Sequence, residues 1–107
     1  MIEEATADIY WAKIYIAGDY WKALDACRRH CSEVGLCVTV TQTEYVYSFG
    51  AQSGVIVGLI NYPRYPETAW ILEEIAEELG EKLLKELSQS SFTIMSPGSA
   101  RLFKIGQ

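Results

Sequence analysis

The hydrophobic pattern changes period several times along the chain. Residues 9–17, IYWAKIYIA, mix β-branched and aromatic side chains and stop at Gly18, which predicts a strand. Ile14 and Ile16 fall on one side of it, Trp11 and Tyr15 on the other. From Asp19 the period becomes helical: Trp21, Leu24, Cys27, Cys31 and Val34 recur at that spacing. Asp19 is placed to cap this helix and Gly35 to end it. LCVTVTQ, TEYVYSF and VIVGLIN follow as three strand-like runs, with a first turn expected near Thr41–Glu44 and a second bracketed by Gly50 and Gly54. Pro63 and Pro66 exclude regular structure from YPRYPE. A long amphipathic helix is predicted from Thr68 to Leu87, with Glu67 or Thr68 as its cap. Its apolar stripe is Leu72, Ile75, Leu79, Leu83 and Leu87, and glutamates fill the rest. SFTIMS and RLFKI form a final hairpin across Pro97-Gly98.

The predicted order is βαβββαββ, an α+β fold with a six-stranded, mostly antiparallel sheet and two helices. Two helices of these lengths cover one face of such a sheet, not both. Yet Tyr45, Tyr47 and Phe49 share one side of their strand, and VIVGLIN is apolar on both. Self-association, or an aromatic-lined ligand site, is expected to cover the second face. A well-filled monomeric core is the plainer alternative.

Composition narrows the class. With 107 residues, 50% hydrophobic and 21% charged, the chain makes one folded domain over residues 1–107. A disordered tail, a fibrous repeat and a two-domain enzyme are excluded. The longest apolar run, Val55 to Ile60, is far shorter than the roughly 18 residues of a membrane span. A soluble, intracellular protein is expected. The net charge of −5 opposes binding to duplex DNA through counterion release. Seven glutamates lie between Glu67 and Glu86, so the rest of the chain is near neutral. Its basic spots are Arg28–Arg29, Arg64 and Arg101/Lys104, and a small phosphorylated ligand fits them.

Catalytic material is scarce. The single histidine, His30, lies three residues from Cys27, but no Asp or Asn sits at a matching helical position to orient it, leaving Glu33 or Glu44 as distant alternatives. A histidine on the domain surface or in a subunit contact is the expected role. The odd set Cys27, Cys31 and Cys37 is a poor disulfide framework, so reduced thiols are expected. With His30 they offer four soft ligands, although three on one helical turn crowd a tetrahedron. A zinc-stapled interaction module and a Cys/His-dependent enzyme are therefore the rival readings. No Gly-rich phosphate loop is present, and no catalytic residue, metal or cofactor is expected.

A binding constellation remains. In INYPRYP, Asn61 offers a two-way hydrogen bonder, Arg64 a fork for phosphate, and Tyr62 and Tyr65 flat faces for a base. Two prolines stiffen this loop, which lowers the entropy lost on binding. Arg101, Phe103 and Lys104 repeat the mixture, and Phe49 stands beside a glycine turn. Such a set suits nucleotide capture without turnover, so a non-enzyme is expected. The alternative is a connector whose Arg64 pairs with a helix glutamate.

IYIAGDY, ACRRHCSEVGLCVTVT and EYVYSFGAQSGVIVGLINYPRYP together resemble the first-described type of phage Thoeris anti-defence proteins. The similarity runs over about residues 9–105 and is most specific around GLCVTV and GLINYPR. The resemblance implies a sponge that sequesters the cyclic ADP-ribose signal of bacterial Thoeris immunity, uncleaved, in the cytoplasm of the infected host. It implies a homodimer or a hexamer of dimers, with the ligand enclosed between subunits. Asn61 and Arg64 carry over in the INYPR run, Arg101 and Phe103 more loosely. Arg28 would serve a second site for cyclic trinucleotides of CBASS signalling, and Gln89 is suggested by position alone. The tail RLFKIGQ departs from the aromatic, arginine-bearing end of that family.

Overall fold

The structure, a computed structural model, describes residues 1–106. In chain order the elements are β1 (Trp11–Ala17), α1 (Tyr20–Val34), β2 (Thr39–Tyr47), β3 (Gly50–Ile60), α2 (Ala69–Glu86), β4 (Ser91–Ser96) and β5 (Ser99–Lys104). The α+β class is as expected, but the sheet has five strands, in the order β2-β3-β1-β4-β5, and every pairing is antiparallel. Among the described residues there is no sixth strand, because the turn placed at Thr41–Glu44 does not form. β2 runs unbroken, in register from Thr39 opposite Gly58 to Tyr47 opposite Gly50. Its polar TQTE stretch reads locally as a turn, yet it lies in an edge strand, where polar side chains meet water and the ladder to β3 is kept. The reversal falls at Ser48–Phe49, with Phe49 at φ 68°, left-handed despite its Cβ.

Alternation along the strands sends Ala12, Ile14 and Ile16, then Val55, Val57 and Leu59, then Phe92 and Ile94, to the helix-covered face. From α2, Leu72, Leu79 and Leu83 meet them, Ile75 is partly buried, and Leu87 closes the end. Thr68 takes the cap position of α2 without a side-chain cap bond. Asp19 caps α1 by accepting from the Lys22 amide, and Gly35 ends it in the left-handed region, both as the sequence predicts.

The inner face of α1 differs from the expected stripe. Ala23, Ala26, Cys27 and His30 are buried, while Trp21 and Val34 stay exposed. Small side chains let α1 lie close to both the sheet and α2; a face led by Trp21 would hold it off. Periodicity alone could not choose between these two faces.

Both helices pack on one side, as expected. The opposite side of the sheet carries Trp11 beside Ile60, Tyr15 beside Ile56, and Met95 and Leu102 on the neighbouring strands. Among the described residues no helix is long and apolar enough to cross a membrane.

Candidate functional site

The loop that leaves β3 is held by one side chain. Asn61 is buried; its amide donates to the Asp8 carbonyl at 2.9 Å and its oxygen accepts from the Glu67 backbone N–H at 2.9 Å. The Asn61 backbone N–H donates to the Tyr10 carbonyl at 2.9 Å. Asn61 thereby ties the N-terminal arm to both ends of the loop. Within the loop, the Tyr65 N–H donates to the Tyr62 carbonyl at 2.9 Å, closing a turn around Pro63 and Arg64. The two tyrosines stand at the two ends of that turn.

Behind the loop lies a cavity of about 380 Å³, bounded by the end of α1, the loop and the first turns of α2. Small molecules occupy cavities of this size, roughly 300 Å³ and above. Leu72 and Ile75 make apolar wall, Tyr62 and Tyr65 line the loop side, and Glu67 and Glu78 add carboxylates. His30 reaches the cavity from α1. It is buried, not on the surface as expected, because α1 is rotated toward its alanine face. Among the described residues its Nδ1 has no hydrogen-bond partner. Burial holds the imidazole below its usual pKa, Lys82 adds to this, and Glu78 and Glu33 oppose it. The ring is therefore neutral near pH 7.

Two of the three thiols are held protonated. Cys27 is buried and pushed up to about 12, chiefly by burial, and burial also raises Cys31. Cys37 is exposed and lines the cavity. Among the described residues, no group of three or more His, Cys, Asp or Glu could hold a metal ion, so the zinc reading finds no site among them.

A second polar assembly occupies the other flank of α2, since positions 73 and 77 lie across the helix from 72, 75 and 78. Tyr10 and Arg101 both donate to Glu73, and Arg101 also donates to Glu77 at 2.6 Å. Ser96 donates to Glu73 at 3.3 Å. The Arg101 guanidinium lies 5.0 Å from the Phe103 ring centre, and Phe103 stacks on Phe92 at 4.9 Å. Hydrogen bonding to Glu77, against a smaller cost of burial, holds Arg101 above its usual range. Tyr10 is raised by burial and then by Glu73. This assembly was not foreseen from sequence: acids four apart on an amphipathic helix look like a solvated face until β5 brings Arg101 against them.

The predicted site residues therefore fall in several places. Asn61 and Arg64 share the cavity loop; Arg64 lies on its turn and makes no ion pair among the described residues. Arg101 and Phe103 are together, engaged inside the second assembly. Phe49 is fully exposed at the β2–β3 turn, and Gln89 follows α2 with its amide on the Leu87 carbonyl at 3.1 Å. Both lie toward the end of the sheet away from the cavity, where Gly18 meets Ser53 and Leu87. Arg28 is exposed on α1 beside a shallow groove next to β2. Within one chain these residues do not converge.

No protein family and no curated protein matches the sequence. Solved structures do. A phage SAM lyase in complex with S-methyl-5'-thioadenosine matches with a TM-score of 0.65 and 11% identity, over 98% of this chain and 96% of that one. A phage SAM lyase in the apo state matches with a TM-score of 0.62 and 12% identity, over 92% and 90% of the two chains. At these identities the likeness is one of fold. It counts against the expectation of a non-enzyme, since nearly the whole chain follows the fold of proteins named as lyases. The first of these structures holds a small nucleoside-type ligand, S-methyl-5'-thioadenosine.

Proposed function

We propose that this chain is a lyase that binds S-adenosylmethionine (SAM) in the cavity behind the INYPRYP loop and releases S-methyl-5'-thioadenosine. The observation that carries the reading is a nucleoside-sized cavity with two tyrosines, in a chain that matches a phage SAM lyase holding that thioadenosine.

The chemistry suits a site poor in acids and bases. Sulfonium sulfur carries a positive charge, so when its bond to the aminobutyrate carbon breaks, the electron pair returns to sulfur and a neutral thioether departs. No proton donor is needed for this leaving group. The carboxylate of the same substrate can form the new bond to that carbon, giving a lactone and cancelling two charges. Holding carboxylate and carbon in line, with water excluded, is then the main task of the protein. Tyr62 and Tyr65 provide faces for a base or the sulfonium, and Glu67 and Glu78 attract the cation. Arg64, on the turn between the tyrosines and outside the cavity lining, would have to swing in to hold the carboxylate. The scarcity of catalytic groups, which pointed away from an enzyme, is compatible with this reaction.

The test is incubation of the purified protein with SAM, followed by chromatography and mass spectrometry. S-Methyl-5'-thioadenosine should accumulate to many equivalents per chain. SAM left intact by folded protein would end the lyase reading.

Arg64 favours a second ligand class. An unpaired guanidinium on a stiff loop also suits a pyrophosphate, as in the cyclic ADP-ribose isomers that the Thoeris resemblance implies; cyclic trinucleotides belong in the same panel. Arg64→Ala should weaken capture of such an isomer more than tenfold with folding intact. Unchanged affinity would remove Arg64 from the site.

The occupant proposed for the open sheet face is a second copy of this chain, as a homodimer or a hexamer of dimers. Trp11 beside Ile60 and Tyr15 beside Ile56 form two apolar patches across β1 and β3, separated by Lys13 and Gly58, with Met95 and Leu102 on the neighbouring strands. Light scattering after size exclusion should give a mass above the 12.0 kDa chain; a monomer at working concentration would refute this.

A further inference from the structure

We infer that His30 recognises the heterocycle of the ligand, a purine whose hydrogen-bonding edge meets the imidazole at the wall of the cavity. The inference rests on the nucleoside reading above and names the residue that would make it selective.

Buried polar side-chain atoms are nearly always paired, so an orphan in a packed core calls for a partner absent from the chain itself. His30 Nδ1 is that orphan: the residue is 3% exposed, and no group among the described residues bonds the nitrogen. The ring borders the cavity, where the neighbouring walls from α2, Leu72 and Ile75, offer it no hydrogen bond. Position explains why a histidine is tolerated here. His30 also borders the charged groove between the helices, which carries Arg29, Glu33, Lys82 and Glu86. The ring is thus the partition between a polar groove and the cavity.

The chemistry of the ring selects the class of partner. A neutral imidazole has one N–H donor and one bare acceptor nitrogen. Adenine carries both kinds of partner, an amino N–H and ring-nitrogen acceptors, either of which can meet the one unpaired nitrogen in the matching tautomer. Burial, reinforced by Lys82, keeps the imidazole in this neutral form, with Glu78 and Glu33 too weak to reverse it. A flat heterocycle also matches Tyr62 and Tyr65, which the turn sets at the mouth of the same cavity.

The chain has one histidine, so protein labelled with ¹⁵N-histidine gives a single imidazole signal set. Titration with S-methyl-5'-thioadenosine should move those resonances at the concentration where calorimetry detects binding. His30→Phe keeps a ring of similar volume without polar atoms. It should fold and bind the thioadenosine about tenfold or more weakly, the usual consequence of losing a buried hydrogen bond. His30→Gln, which restores a donor and an acceptor, should recover part of the loss. Thioadenosine bound by the wild type with the imidazole unmoved, or bound equally by His30→Phe, would overturn the assignment and leave the lyase reading standing. If the wild type bound neither the thioadenosine, adenosine nor SAM, the nucleoside reading would fall and the assignment with it. Should His30→Phe fail to fold, the wild-type titration decides alone.

Discussion

Gly80→Ala tests how tightly α2 sits on the sheet. Gly80 is a buried position of α2, and a Cβ there would lie 2.3 Å from Phe92 Cε2, 2.7 Å from Cζ and 2.8 Å from Cδ2. Ordinary contact begins near 3.4 Å, so the ring would have to retreat by about 1 Å. It has nowhere to go: Phe92 is 2% exposed and stacked on Phe103, with ring planes 8° apart. Phe103 in turn lies under Arg101, which both Glu73 and Glu77 hold. Overpacking of this kind costs roughly 1–3 kcal/mol. Alanine in a helix interior returns about 1 kcal/mol relative to glycine. Because the ring is held, the upper part of the overpacking range applies, about 2–3 kcal/mol. The expected net loss is therefore about 1–2 kcal/mol, a fall in Tm of roughly 5–15 °C for a domain of this size. Thermal and urea unfolding followed by circular dichroism would measure it. The decisive control is Phe92→Leu, which removes the ring the new methyl would strike. In that background the same substitution should be neutral or stabilising, because only helix propensity remains. A Gly80→Ala chain more stable than wild type in the intact background would refute the packing argument.

Other expected outcomes follow from single side chains. His30 has a lowered pKa in the fold, so between that value and about 6.5 the unfolded chain binds more protons and stability rises with pH. This contribution is complete above the unfolded pKa and is lost as pH falls below it. The unfolding midpoint of the wild type should therefore drop more steeply from pH 7 to 5 than that of His30→Phe; parallel profiles would disprove the burial effect. Asn61→Ala removes the bonds to the Asp8 carbonyl and the Glu67 N–H. It should cost about 1–3 kcal/mol and speed proteolysis in residues 62–67, whereas unchanged cleavage would show that the loop is held otherwise. Cys37 should react with iodoacetamide within minutes in native protein, while Cys27, at about 12 and buried, should be modified only on unfolding. Mass spectrometry that finds Cys27 labelled first would contradict this order.

Much of the architecture is legible in local patterns. The Asp19 cap and the Gly35 exit bound α1, a leucine stripe defines α2, and Pro97-Gly98 reverses β4 into β5, because each signal acts within a few residues of itself. Two helices on one side of a sheet, leaving aromatic residues on the other, also follow from counting faces. The errors have a common origin in contacts between distant segments. TQTE extends β2 instead of turning, because nine residues of β2 pair with β3 and turn preferences are smaller than that ladder. α1 buries Ala23, Ala26, Cys27 and His30, not Trp21, because that face is the one turned to the sheet and α2.

The site divides in the same way. INYPRYP was visible as a stiff loop bearing Asn61 and Arg64, for composition alone makes it so. That Asn61 is spent on pinning the loop, and that His30 stands unpaired against a cavity, depends on where residues tens of positions apart come to rest. Arg101 shows the same division: its charge is plain in the sequence, while its engagement by Glu73 and Glu77 exists only once α2 lies across β5. Sequence by itself determined which segments could be helices and strands and which side chains were available for binding. Tertiary structure alone decided which face of each helix is buried and which polar groups are satisfied, because burial and hydrogen bonding are properties of packed neighbours, not of residues in a row.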